Sequence, residues 1–268
     1  MANKEQLALL KQGVVAWNTW REEHPDIKPD LSSPSFFSRV KLQGVQLPGV
    51  NLSGTDLSGT DLTGANLRGA HLQAALLQKA NLYGADLQEA DLSGAELSHT
   101  TLIAANLSQA NLSQARLNLS QLQEANLSRA DLSGVLIITS RLSQADLREA
   151  NLSKATLHAT TMEKAKLNQD NLSGATLSVS KLGWSDLSGA DLGGIKVEGA
   201  ILDHVNLSGA NLMKASFSET NLLGADLRGA NLYEATFKRS TLTQADLRGA
   251  NMKKANFKTS VMDDVVNA

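Results

Sequence analysis

The chain has 268 residues, a formal net charge of −2 and no cysteine. A near-neutral surface gives no electrostatic footprint for nucleic acid or an anionic membrane, and without cysteine there is no disulfide framework, thiolate metal site or thiol nucleophile. Apolar residues make up 42% of the chain but aromatics only 4%, so Leu and Ala must build the core.

Residues 4–23 read as one helix with Leu7, Leu10, Val14 and Trp17 on a single face. Pro25 and Pro29 end it and lead into an extended connector. No basic segment followed by an uninterrupted apolar core opens the chain, so no signal peptide is expected. No apolar run approaches the length of a membrane span, so no membrane is expected as partner. The expected compartment is the cytoplasm.

Beyond the connector a strict period of five takes over. From Leu42 to Met262 every fifth position is Leu, Ile, Val, Met or Phe, 45 positions in one register, and Phe37 extends the phase one step earlier. Two residues before each stands a small residue, such as Ala65, Ala70, Ala85 and Ala90, often followed by Asp or Asn. A period of five fits neither a helix nor a strand. It requires a chain that turns a corner every five residues, with Leu and the small residue pointing to one axis and Gly relieving corners such as Gly54 and Gly59.

These repeats, clean in "ADLQEADLSGAEL" and "GANLMKA", resemble the pentapeptide-repeat family. The resemblance implies an all-β solenoid, a right-handed quadrilateral parallel β-helix of about 11 coils, each coil rising about 4.8 Å for a rod on the order of 50 Å. Residues 4–23 then act as the helical N-terminal cap, and "AWNTWREEHPDIKPDL" resembles a leader found before many bacterial tracts of this kind. The expected organisation is a cap and connector over residues 1–36, the β-helix over 37–262 and a tail over 263–268. No amphipathic helix follows Met262. The resemblance implies a homodimer through C-terminal coils.

Two markers support a coil of twenty. At the small inward position, Thr60, Ala80, Thr100, Ser120, Ser140, Thr160, Ser180, Ala200, Thr220, Ser240 and Ser260 are spaced by twenty, and nine of these eleven carry a hydroxyl. The residue before each central Leu is mostly Asp or Asn on two adjacent faces, from Asn106 to Asp246 on one and Asn111 to Asn231 on the next. On the other two it is mixed: Thr101, Gln121, Arg141 and Lys181 on one, Arg116, Leu136, Thr156 and Lys196 on the other. Two faces are regular and two irregular.

The candidate sites are departures from the repeat. Leu76, Leu119, Leu136 and Ile138 point outward on or beside one irregular face, and Ile103, Trp184, Ile201 and Leu223 on or beside the adjoining one. Exposed apolar clusters mark binding surfaces, and the candidate surface is Leu119, Leu136, Ile138, Ile103, Trp184 and Ile201, centred on Leu136, Ile138 and Trp184. Asp170 is the irregular inward residue, between Ala150 and Ala190 one coil either way. It is read as a structural accommodation.

No motif points to catalysis, a cofactor or a metal. The five-residue spacing of Gly54, Gly59, Gly64 and Gly69 leads to no Gly-Lys-Ser/Thr. His24, His71, His99, His158 and His204 form no pair with metal-ligand spacing. An uninterrupted prism offers walls rather than a water-excluding cleft. The expectation is therefore a non-enzymatic protein-interaction scaffold or structural rod whose partner the sequence does not name. The alternative, implied by the quinolone-resistance members of the family, is regulation of a topoisomerase such as gyrase by imitation of duplex DNA. Against it stand the near-neutral charge and the absence of any loop interrupting the repeat.

Overall fold

A computed structural model of the chain describes residues 3–32 and 37–267. The N-terminal region is not one helix but two, α1 (Lys4–Leu10) and α2 (Val14–Glu23). The break falls at Gly13, whose φ of 116° no other residue type adopts without strain. The expected face survives the break: Leu10 and Trp17 are buried, and Leu7 and Val14 pack against the same core. Asn3 caps α1 by accepting the backbone N–H groups of Glu5 and Gln6.

α2 is anchored to the first coils by polar contacts around a buried indole. Trp17 Nε1–H donates to Gln46 O at 2.7 Å, and Asn18 both donates to Gly44 O and accepts Gln46 N–H. The connector joins the wall by backbone pairing. Asp30 bridges Asn51, Leu31 N–H donates to Asn51 O at 2.9 Å, and Leu31 is fully buried. Residues 33–36 of the connector lie outside the described residues. Phe37, already in the five-residue phase, is buried beneath Thr60, whose hydroxyl donates to Phe37 O.

From Lys41 to Val266 each outward residue before a central Leu bridges, in parallel, the residue twenty positions on. Four such ladders run side by side, so the chain is a four-sided parallel solenoid. Inward Leu and Ala fill its axis with almost no exposure between Leu42 and Leu247. Where Phe replaces Leu, the rings of Phe217, Phe237 and Phe257 stack 4.9 and 4.8 Å apart, which measures the coil rise. Each buried Leu contributes roughly 1.5–3 kcal/mol relative to exposure, and each coil depends on its neighbours.

Among the described residues, three-residue strands form on one wall only. β1 (Leu136–Ile138), β2 (Thr156–His158), β3 (Thr176–Ser178), β4 (Lys196–Glu198), β5 (Ser216–Ser218) and β6 (Thr236–Lys238) stack in sequence order as a parallel six-stranded sheet. Full strand pairing therefore spans about five turns, against the 11 coils expected; elsewhere single bridges hold the same register. The reason lies at the corners. Most close with a tight turn, as where Ala65 N–H donates to Leu62 O, which cuts the strand to one residue. Beyond the strand wall the corner is opened by the hydroxyl ladder described below. Among the described residues no helix is long and apolar enough to cross a membrane.

Candidate partner-binding walls

The two regular walls are internally satisfied. Along each, an Asn side chain donates to the Asn or Asp one coil earlier, as Asn126 to Asn106 at 3.2 Å and Asn231 to Asn211 at 3.1 Å. The same Oδ1 accepts the backbone N–H two residues on, as Asn106 does from Ser108. The arginines there are paired, Arg148 with Asp146, Arg228 with Asp226 and Arg248 with Asp246. The hydrogen-bonded Arg248 side chain is the main reason that the Asp246 carboxyl is held down to about 2.

The strand wall and the wall after it differ. At the corner between them, Ser120 N–H donates not to its own turn but to Ser140 Oγ, 3.0 Å away in the next coil. Thr160 N–H donates to Ser180 Oγ and Thr220 N–H to Ser240 Oγ in the same way. The hydroxyls in turn donate back to carbonyls of the preceding coil, Ser120 to Leu97 O at 2.6 Å and Ser140 to Leu117 O. These bonds stand in for the tight turn at Ser120, Thr160 and Thr220, whereas at Ser260 the N–H donates to Phe257 O again. Down the corner Leu119, Thr139, Ala159, Val179 and Gly199 form an uncharged column, one residue per coil, which ends at the ion-paired Glu219 and Arg239.

The structure divides the expected patch. Leu119, 48% exposed, sits on the column, and its N–H donates to the carbonyl of half-buried Ile138. Leu136 begins β1 on the strand wall between Arg116 and Thr156. Ile201 stands at the near edge of the adjoining wall, bridged to Lys181, while Ile103 lies in the middle of that wall several coils earlier. Trp184 is on the far corner of the adjoining wall, so it is not contiguous with Leu136 and Ile138. There it is 62% exposed and stacks on His204 with ring centroids 4.2 Å apart. Gly224 makes room for that stack: a Cβ at this position would lie 2.6 Å from His204 Nδ1. Asp203 fits over Gly183 in the same manner, where a Cβ would meet its carboxylate at 2.6 Å.

Thr139, Ala159 and Val179 are functional candidates that single repeats do not reveal. Each is unremarkable at the fifth position of its own repeat. The signal emerges only when that position is read down a column of twenty.

Asp170 is 1% exposed. Its Oδ1 accepts Ala150 N–H at 3.0 Å and its Oδ2 has no partner. Burial is the main reason that its carboxyl is pushed up to about 8. Among the described residues no group of three or more His, Asp and Glu is placed to hold a metal ion. One depression on the strand wall is lined by Glu198, Ser216, Thr236, Lys238 and Lys258.

A four-sided parallel solenoid with an apolar column and two uniform polar walls defines the class. The description "Pentapeptide repeats" matches this chain in 8 copies, with stretches at 37–73, 65–102, 102–136, 140–169, 180–218, 190–229 and 220–258. The chain belongs to the pentapeptide repeat family. No curated protein matches it. Among solved structures it is similar to HetL, a pentapeptide repeat protein involved in heterocyst differentiation regulation from the cyanobacterium Nostoc sp. strain PCC 7120, at 32% identity over 87% of this chain and 93% of that one, with a TM-score of 0.35. It is also similar to QnrB1, a plasmid-mediated fluoroquinolone resistance protein, at 16% identity over 65% of this chain and 92% of that one, with a TM-score of 0.52, a likeness of fold alone. A pentapeptide repeat protein of the Arabidopsis thaliana thylakoid lumen is 31% identical over 39% of this chain and 70% of its own, with a TM-score of 0.30.

Proposed function

We propose that this protein is a non-enzymatic protein-interaction scaffold that presents the strand wall and the adjoining wall to a protein partner in the cytoplasm. The observation that carries the reading is the concentration of exposed large apolar side chains on these two walls between residues 119 and 201, the regular walls exposing Met213 and Val266 only further on. Leu119, Val179, Ile201 and Trp184 stand on or at the edges of these two walls, whereas the regular walls are occupied by Asn and Asp bonded to one another. An exposed Trp is the residue type that most often carries the energy of an interface when a partner excludes water from it. HetL's involvement in regulating differentiation is compatible with a scaffold.

A second element of the proposal is self-association at the C-terminal end. The inward side chains Met252, Phe257 and Met262 are only half-buried, and a second copy seated on them would complete their burial. Sedimentation velocity across a hundredfold concentration range tests it, with Phe257→Asp expected to give monomer and a monomeric wild type ruling it out.

The scaffold reading is tested by capture from lysate with wild type and two folded variants, Leu119→Glu/Ile138→Glu and Trp184→Glu. Loss of a wild-type partner by either variant supports it and assigns the wall edge. Retention of every partner by both would sink it. Imitation of duplex DNA predicts inhibition of gyrase supercoiling at micromolar protein, and the capture baits serve equally for that assay.

A further inference from the structure

Left-handed backbone is general at the corners of this solenoid, but among the described residues Thr139 and Val179 are the only β-branched residues that adopt it. Leu119, Thr139, Ala159 and Val179 have φ of 57°, 55°, 51° and 54°. This left-handed region suits glycine, and a β-branched residue within it is a genuine outlier. Thr139 and Val179 are exposed, so no burial of their own side chains offsets the strain. Gly199 continues the same corner without that strain. What points to function is the choice of two β-branched residues at exposed positions of one corner, where other corners carry mostly Gly or long polar side chains.

The column borders a groove of about 420 Å³ lined by Leu119, Gln121, Thr139, Arg141, Ala159 and Thr161. Arg141 and Lys181 stand along this margin, two coils apart and joined through Thr161 by successive bridges. Both are exposed, and among the described residues neither has an acidic partner. Lysines of the regular walls such as Lys166 also lack one, so what sets Arg141 and Lys181 apart is their place beside the uncharged column. On the other margin are Ile138, His158 and Ser178, the last two hydrogen-bonded at 2.7 Å, and Glu198 stands beyond Val179 at the column's end.

Spacing selects the occupant. With a rise of 4.8–4.9 Å per coil, the four column residues lie at successive steps of that length. An α-helix lying along the corner repeats its apolar a and d positions at rises of about 4.5, 10.5 and 15 Å, which stays in phase over all four. Residues seven apart on the helix are about 10.5 Å apart, matching the two-coil interval from Arg141 to Lys181. A β-strand, advancing about 6.8 Å between side chains of one face, falls out of phase within two steps.

We infer that this corner is a docking stripe for an amphipathic α-helix of a partner protein, its a/d seam on Leu119, Thr139, Ala159 and Val179 and its acidic flank, repeating every seven residues, on Arg141 and Lys181. The inference rests on the scaffold reading and gives the partner its chemistry. The test uses three fluorescein-labelled designed helices with Leu at a and d: one flanked by Glu, one flanked by Lys, and the Glu peptide interrupted by a central Pro. Their binding to the full chain is followed by fluorescence anisotropy. The Glu-flanked helix should bind at least tenfold tighter than either other peptide, and Arg141→Glu/Lys181→Glu should invert the preference. Val179→Gly should weaken that binding about tenfold while leaving the melting temperature equal or higher, since glycine removes the strain. Equal binding of Glu- and Lys-flanked helices, or unchanged binding by Val179→Gly, overturns the inference. So does self-association of the wild type that Val179→Gly abolishes with no peptide bound, which would assign the stripe to a second copy. In lysate capture, a partner lost by the Trp184→Glu bait but kept by Val179→Gly would retain the scaffold and reject this stripe.

Discussion

Ser140 Oγ accepts the backbone N–H of Ser120 at 3.0 Å, and this bond between coils stands where a tight turn would otherwise close the corner. The same ladder meets a gap at Ala200, a buried residue with no hydroxyl to offer Ser180. Ala200→Ser should fill it, accepting Ser180 N–H and donating toward Leu177 O by analogy with Ser180 and Leu157 O. A net hydrogen bond contributes about 0.5–1.5 kcal/mol, which for a chain of this size raises Tm by a few degrees. Ser140→Ala should lower it, because it strands a buried donor at a loss of about 1–3 kcal/mol. Calorimetric melting of the two variants checks both directions, and a lower Tm for Ala200→Ser would mean that the site has no room for the hydroxyl.

The period of five, the coil of twenty and the distinct hydroxyl side are all legible in the residues, because inward Leu at every fifth position admits one kind of winding. The apolar faces of the N-terminal helices are legible for the same reason, through Leu10 and Trp17. What is not legible is the break at Gly13, since the helical face continues in phase across it. Restriction of strands to β1–β6 was likewise hidden, because it depends on where Ser and Thr side chains replace turn hydrogen bonds between coils. The patch around Leu136, Ile138 and Trp184 fared worst. Repeat position tells whether a side chain points outward, but contiguity across a corner depends on coil and wall together, and these place Trp184 at the far edge.

Trp17 is the keystone of the N-terminal cap, fully buried with its indole N–H on Gln46 O. Trp17→Ala should destabilise the cap by about 3–5 kcal/mol, more than the two short helices can recover elsewhere. Because a solenoid is held by nearest neighbours, the loss should be local. Hydrogen exchange should show the amides of residues 42–66 losing protection while those of β1–β6 keep theirs. Uniform loss along the rod would show that the coils unfold as one unit.

Gly224 leaves space for the His204 ring that stacks on Trp184. Gly224→Ala puts a methyl 2.6 Å from His204 Nδ1 and does so at a φ of 62°. The variant should displace the imidazole, change the fluorescence of Trp184 and lower stability by about 1–2 kcal/mol from the left-handed backbone alone. The Trp184→Phe background, in which the spectroscopic change should vanish, assigns the signal to this indole rather than to the two tryptophans of α2.

Asp170 makes the protein's stability depend on pH in the direction opposite to that of most carboxylates. In the unfolded chain this carboxyl ionises near its ordinary pKa of about 3.9, but in the folded protein burial keeps its proton until about pH 8. Between those values the unfolded state releases a proton that the folded state retains. Stability due to this group is therefore intact below about pH 4 and falls by up to about 1.4 kcal/mol per pH unit until about pH 8, where it levels off. Asp170→Ala removes the slope and restores the residue type found at Ala150 and Ala190. It strands no donor, because Ala150 N–H also donates to Leu147 O at 2.8 Å. The variant should melt higher than the wild type at pH 8, with the difference shrinking steadily toward pH 4. Asp170→Asn, which retains an acceptor for Ala150 N–H but buries an amide N–H₂ where Oδ2 has no partner, should gain less. Melting curves at unit intervals from pH 4 to pH 9 decide the matter: a difference between wild type and Asp170→Ala that is constant across the range would mean that the folded carboxyl ionises as freely as the unfolded one.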